Sequence, residues 1–158
     1  MRTLRLTLLA AFGIGFGLRA APPATPYPAV EVDRFSAQKG VDFPAQYQSA
    51  LAGDIAREIS VDFPTVIVLH EGEASNYGHP AMRIYGIVTA FSPGSPVKRA
   101  LIGFGAGATR VAALVRFTDS AGGPPILVRG LAGNWTSTDQ LARRIVKLCK
   151  AEHLLESH

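Results

Sequence analysis

A chain of 158 residues is long enough for one domain with one buried core, and its 47% hydrophobic content excludes a wholly disordered polymer. The formal charge of +4 is concentrated at the amino terminus, because three of the 16 basic residues lie in the first 21 positions, which contain no acid. The remaining 13 basic residues are matched by 12 acidic ones, which argues against a broad basic surface for nucleic acid.

Residues 1–21 have the organisation of an export signal. A short basic segment precedes an apolar stretch, Leu6 to Leu18, and small residues follow at Ala20 and Ala21. The apolar stretch is shorter than the roughly 20 residues of a membrane span. Cleavage after either alanine would not leave a small residue three positions before the cut, so a retained anchor is the alternative to a cleaved leader. We expect a periplasmic or secreted protein that touches the membrane only through an uncleaved leader.

The chain contains one cysteine, Cys149. An intramolecular disulfide and a multi-cysteine zinc site are therefore excluded, and no cysteine near the cleavage point can accept a lipid. Cys149 falls on the apolar stripe of a predicted helix, so we interpret it as a small buried residue rather than a nucleophile.

The first elements follow a proline-rich tether at residues 22–29, which leads into a domain predicted to span residues 30–150. Val30 to Phe35 alternates as a strand does, and a polar loop follows at 36–41. From Pro44 the apolar residues recur with helical spacing. Gly53 would weaken this helix by about 1 kcal/mol unless it allows close packing on a sheet. The predicted buried stripe is Leu51, Ile55 and Ile59.

Four strands and a helix are predicted in the rest of the chain. The strands are Thr65–His70, Met82–Phe91, Val111–Asp119 and Ile126–Leu131. The first is a continuous β-branched run, as in strands covered on both faces. In the second, one face consists of Met82, Ile84, Gly86, Val88 and Ala90. Asp119 to Pro124 has the composition of a hairpin turn.

The last helix is predicted to start at Thr136, with Asp139 in a variant of the capping box. Its buried stripe is Leu141, Ile145, Leu148 and Cys149, and residues 151–158 are expected to fray. The order β-α-β-β-β-β-α predicts an α+β fold: a single twisted, mostly antiparallel sheet with both helices on one face.

A cluster of glycines precedes the Val111 strand. It lacks the spacing of a dinucleotide fingerprint and the lysine of a P-loop, and a strand follows it where both motifs require a helix. We interpret the cluster as a bend or bulge, and its basic neighbours leave an anion site as the alternative. The residues of that candidate site are Lys98, Arg99, Gly103, Gly105, Gly107 and Arg110.

Catalytic motifs are poorly represented. His70-Glu71-Gly72-Glu73-Ala74 begins like a metalloprotease motif, but Ala74 occupies the place of the second histidine. His79 with His70 and a nearby glutamate could supply zinc ligands, although the loop spacing does not specify such a site. No Gly-x-Ser-x-Gly elbow is present. We therefore predict no catalytic residue, no metal and no cofactor.

The stretch from Lys98 to Gly107 reads Lys-Arg-Ala-Leu-Ile-Gly-Phe-Gly-Ala-Gly and leads into the strand that ends at Asp119. It resembles an uncharacterised family of bacterial exported envelope proteins, known only as a domain of unknown function, over roughly Val30 to Lys150. Many of those proteins look like lipoproteins, and this chain differs by lacking the acceptor cysteine. The element order also resembles small domains of the curli secretion channel and of the Tol translocation protein B, as a likeness of fold.

These observations favour a non-enzymatic exported domain that acts at the cell envelope through contacts with a protein partner. An exposed strand edge is the natural docking surface for such a partner. The alternative is a small anionic-ligand binder that uses the Gly103–Gly107 turn. A metal-assisted hydrolase using His70 and His79 is the third hypothesis.

Overall fold

The computed structural model describes residues 25–93, 109–135 and 137–156. The elements in this part of the chain are β1 (Ala29–Val32), β2 (Ser36–Ala37), α1 (Ala45–Asp62), β3 (Ile67–Leu69), β4 (Met82–Ser92), β5 (Thr109–Asp119), β6 (Leu127–Trp135) and α2 (Thr138–Ala151), with a short 3₁₀ turn at Ala74–Asn76. The predicted α+β class is confirmed. The two-residue strand β2 is an addition, because it lies in the segment predicted to be a loop.

All six strands form one mixed sheet in the order β3-β1-β4-β5-β6, with β2 also paired to β4. The long pairings β4–β5 and β5–β6 are antiparallel, as predicted. The pairings of β1 with β3, β1 with β4 and β2 with β4 are parallel, which was not predicted. The β1–β3 pairing is parallel because α1 is a crossover that returns the chain in the direction of β1.

Both helices pack on one face of the sheet and bury the predicted stripes. Leu51, Ile55 and Ile59 of α1 are fully buried, and so are Ile145 and Cys149 of α2. They meet Ile84, Val88, Val115 and Phe117, which all point to the same side of the β4–β5 hairpin. Burial of these side chains is the main stabilising contribution to the fold.

Three local predictions are wrong. β3 lies at the edge of the sheet and Ile67 is half exposed, so this strand is not covered on both faces. Among the described residues, no atom lies within 4 Å of the position of a Cβ added at Gly53, so this glycine serves no close packing there. Helix α2 begins at Thr138 rather than at Thr136, and the hydroxyl of its N-cap Ser137 donates to the Asp139 carboxylate and makes no hydrogen bond to the backbone.

A bulge in β4 changes which side chain reaches the core. Val88 pairs with Ala113, but Ala90 pairs with Ala112, so the register shifts by one residue at Thr89. Ala90 is therefore exposed, and Phe91 takes the buried face in its place. Its ring lies 5.1 Å from that of Phe43 in an edge-on contact.

The folded domain extends beyond both predicted boundaries. Tyr27, placed in the predicted tether, is buried and pairs with Leu155 through a parallel bridge. Leu154 and Leu155, placed in the predicted frayed tail, are 1% and 2% exposed. The helix ends in a Schellman motif, in which the Leu154 amide donates to the Cys149 carbonyl, and this turns the tail back onto the core.

Candidate functional site

The face of the sheet opposite the helices is partly open to solvent. We define the open face as the side chains of the β4–β5–β6 portion that point away from the helices. Paired residues share a face, so the registers of Arg83 with Thr118 and Ile87 with Leu114 identify its members. Each of them is partly exposed. The open face contains Arg83, Tyr85, Ile87, Leu114, Arg116, Thr118 and Val128.

A buried glutamate underlies one end of the open face. Glu31 on β1 is only 1% exposed, and its Oε1 accepts a hydrogen bond from Nε of Arg83 at 3.0 Å. Its Oε2 accepts one from the backbone amide of Ala74 at 2.6 Å. Arg83 also donates through Nη2 to Oδ2 of Asp33 at 2.6 Å. A buried carboxylate with this set of donors is stable in its charged form.

Asp33 and Glu31 have opposite pKa shifts. Burial and a hydrogen bond with Glu31 raise the pKa of Asp33 to about 6, although the nearby Arg83 charge opposes this shift. Burial also tends to raise the pKa of Glu31, but hydrogen bonds from Asp33 and from the amides of Ala74 and Gly72, together with Arg83, lower it overall. Of the two carboxyls, Asp33 is therefore the one that binds a proton at the higher pH.

A cavity of about 350 Å³ opens beside this carboxyl pair. Its walls combine Arg83 and Tyr85 with the hydroxyl-bearing Thr118 and Ser120 and with the turn after β5. That turn is shaped as predicted: the Asp119 carboxylate accepts the amide of Ala121 at 2.7 Å, and two glycines with positive φ follow. The walls offer charged and hydroxyl groups.

The predicted anion site falls almost entirely outside the described residues. Lys98, Arg99, Gly103, Gly105 and Gly107 lie there, and their role as a bend or as a ligand cradle stays a prediction. Arg110 is described: it is exposed near the start of β5, where Ser92 and Val111 help to line a depression of about 400 Å³.

The structure does not gather the loop histidines and glutamates into a metal site. Within the described ranges, no group of three or more His, Cys, Asp or Glu side chains is arranged to hold a metal ion. Glu71 pairs with Arg34 at 2.9 Å, and Glu73 accepts the backbone amide of His70 at 2.8 Å. His79 instead contacts the ring of Tyr77.

Cys149 is fully buried, as predicted, and burial raises the pKa of its thiol to about 12. A thiol in that state is a poor nucleophile. None of the helices in the described part of the chain has the length and apolarity needed to cross a membrane.

Sequence reasoning missed the Glu31–Asp33–Arg83 cluster. The alternation Val30-Glu31-Val32-Asp33 places both carboxylates on one face of β1, and this signal was available. The position of Arg83 opposite Glu31 depends on a parallel pairing between β1 and β4 that the pattern of residues does not specify. The cluster is therefore visible only in the tertiary structure.

Replacing Arg83 by alanine should lower the free energy of unfolding by about 2 kcal/mol, because the buried Glu31 would lose its charged partner. The matched control is Arg34→Ala, which removes the exposed pair with Glu71 and should cost less than about 1 kcal/mol. Urea denaturation at pH 7 compares the two variants. Equal losses for both would mean that the Arg83 pair contributes no more than a surface pair.

The fold and the described side chains define a small α+β domain with one helix-covered sheet face and one open face. The chain belongs to the DUF4410 family, a domain of unknown function, whose model matches residues 36–154. The membership in an uncharacterised family expected from the Lys98–Gly107 resemblance is thereby supported at the level of a domain of unknown function.

Solved structures share the fold at low sequence identity. The chain is similar to the PelC dodecamer from Paraburkholderia phytofirmans in two crystal forms, at 13% and 15% identity with TM-scores of 0.61 and 0.58. These matches cover 89% and 90% of this chain and 98% and 100% of the PelC chain. Protein XCC0632 from Xanthomonas campestris, a DUF330 protein, matches at 11% identity and a TM-score of 0.52, over 83% of this chain and 90% of that one. A comparison with curated protein sequences found no match.

Proposed function

We propose that the chain is an exported cell-envelope domain without enzymatic activity that works as an assembly module, and that a second copy of the chain binds its open face. The observation that carries this proposal is the open face itself. Ile87, Leu114 and Val128 present partly exposed apolar surface on three adjacent strands. Apolar surface of this kind, bordered by charged groups such as Arg116, is typical of protein interfaces.

Two further observations support the proposal. The fold is shared with a protein that forms dodecamers, and this fold is therefore compatible with a closed homo-oligomer. The first 21 residues carry the basic, apolar and small-residue segments of an export signal, which would deliver the domain to the envelope.

The assembly half is tested by light scattering on the purified full chain over a range of concentrations. The chain should exceed its monomer mass of 16.8 kDa, and Ile87→Arg with Leu114→Arg should return it to the monomer. Val61→Arg is the matched control, because Val61 is 70% exposed on α1 and should leave assembly unchanged. A wild-type chain that stays monomeric at every concentration would contradict self-assembly, and circular dichroism verifies that each variant is folded.

The export half is tested by fractionating the native host. The chain should be found outside the cytoplasm, and deleting residues 1–21 should retain it inside. Recovery of the wild-type chain from the cytoplasm would refute export without bearing on assembly.

The alternative function is binding of a small anion by the Gly103–Gly107 turn with Lys98, Arg99 and Arg110. The exposed position of Arg110 beside a depression favours it. A thermal-shift screen with inorganic phosphate and nucleotides decides this point, because a ligand that binds the native state must raise its melting temperature.

A further inference from the structure

One oxygen of the Glu31 and Asp33 carboxyl pair lacks a hydrogen-bond donor among the described residues, and a proton bound to Asp33 would turn that oxygen into a donor. Oδ1 of Asp33 is buried and meets no donor among the described residues, whereas Oδ2 is bound by Arg83. The Glu31 carboxyl lies two residues earlier in the chain, and after burial its hydrogen bonding is the next cause that raises the pKa of Asp33. Two ionised carboxylates cannot form a hydrogen bond, and a single proton between them satisfies both.

The donors around the pair decide where that proton lies. Glu31 receives the Arg83 Nε and the Ala74 amide and is almost wholly enclosed, so it keeps its charge. Asp33 receives one guanidinium hydrogen bond and is 13% exposed. The neighbouring charged or titratable groups are Arg83 and Tyr85 on β4, Asp119 at the end of β5, and the Arg34–Glu71 pair beside the loop after β3. Asp119 is already held by the hydroxyl of Tyr27 at 2.7 Å.

The cavity beside Asp33 offers a second position for its carboxylate. Thr118, Ser120 and Tyr85 line it, and their hydroxyl groups can donate to an ionised carboxylate. We propose that Asp33 is a proton-operated switch: protonated, it donates to Glu31 and keeps its Oδ2 on Arg83 of β4, and ionised, it turns away from Glu31 into this cavity. The switch lies where β1 ends, since the Asp33 amide also donates to the Ile84 carbonyl at 2.9 Å.

The direction of the pH effect follows from the proton balance. Because the folded pKa of Asp33 is raised to about 6, the native state holds a proton that the unfolded chain has released at the same pH. The stabilisation is present below the unfolded pKa and is lost as pH rises through about 6. Glu31 has a lowered pKa, so its contribution is lost only at lower pH, outside this window.

The test measures the folding equilibrium constant of the full chain between pH 4.5 and 7.5 for wild type and for Asp33→Asn. The asparagine amide can donate to Glu31 at every pH, so the wild type should weaken relative to the variant by roughly tenfold or more as pH rises. All groups other than residue 33 are common to both proteins, so the comparison isolates the contribution of Asp33. Parallel pH profiles for the two proteins would overturn the proposal.

Carbon-13 NMR of the wild-type carboxyl groups provides a readout that does not depend on folding of the variant. The Asp33 resonance should titrate near pH 6, and the ring signals of Tyr85 should change over the same range. An Asp33 midpoint close to 4, or a Tyr85 ring that is insensitive to this titration, would equally refute the switch. Because Tyr85 and Thr118 belong to the open face, the titration is repeated on the Ile87→Arg, Leu114→Arg variant, in which an Asp33 midpoint near pH 6 should persist without assembly.

Discussion

Replacing Leu154 and Leu155 together by alanine should lower the free energy of unfolding by at least about 4 kcal/mol, because each truncation leaves a cavity in a closed core. The two side chains are almost fully buried. The backbone beside them forms hydrogen bonds with Tyr27, which lies near the beginning of the described residues. A loss of that size is a large fraction of the stability of a typical domain. Urea denaturation followed by circular dichroism measures it.

The control for the leucine variant is Val61→Ala, which truncates an aliphatic side chain that is 70% exposed and should change stability by no more than about 0.5 kcal/mol. If the double variant does not fold, Leu155→Met supplies a milder test, with an expected loss below about 1.5 kcal/mol. A double variant as stable as Val61→Ala would mean that residues 152–156 do not belong to the folded core.

Replacing Gly86 by alanine should destabilise the fold by about 3 kcal/mol through overpacking. Its added Cβ would lie 2.4 Å from Cε1 of Phe35 and 2.8 Å from the carbonyl oxygen of Leu114. The Phe35 ring is fully buried and cannot swing into solvent, and the Leu114 carbonyl belongs to the central hairpin. The side chain and the backbone must therefore both shift to admit one methyl group.

Gly130→Ala is the matched control, because Gly130 lies in the same sheet and no atom in the described part of the chain is within 4 Å of an added Cβ. It should be neutral or stabilising by up to about 1 kcal/mol, since alanine has less freedom to lose on folding. Combining Gly86→Ala with Phe35→Leu should recover part of the loss, with a coupling energy of about 1 kcal/mol. Additive losses would show that the Phe35 ring is not what Gly86 accommodates.

The surroundings of Phe35 and Gly86 depend partly on alternation along one strand and partly on the pairing of strands that are distant in sequence. Alternation predicted that Gly86 shares the buried face of its strand, and it does. The pattern also ended the first strand at Phe35, whereas β1 ends at Val32 and Phe35 continues into the core. The need for glycine opposite Phe35 depends on β4 lying beside the β1–β2 segment, which alternation along one strand does not encode.

The two candidate sites also differ in whether their residues are close together in the sequence. The residues of the predicted anion site were chosen from one contiguous stretch, and of these only Arg110 is described. Glu31, Asp33 and Arg83 were not predicted as site residues, because none of them lies in a recognisable local sequence motif. They form a cluster because Arg83 donates a hydrogen bond to Glu31, a residue 52 positions away in the sequence.

Periodicity alone predicted both helices, five of the six strands in the described residues and most of the buried stripes, because burial on one face imposes a repeat of 3.6 or 2 residues on nearby positions. The parallel placement of β1, the bulge that turns Phe91 inward, the tail folded onto Tyr27 and the contacts of Arg83 with Glu31 and Asp33 were decided by the tertiary structure. Each depends on backbone pairing or charge between distant segments. Such contacts form only once the sheet is assembled, and they leave no periodic trace in the chain.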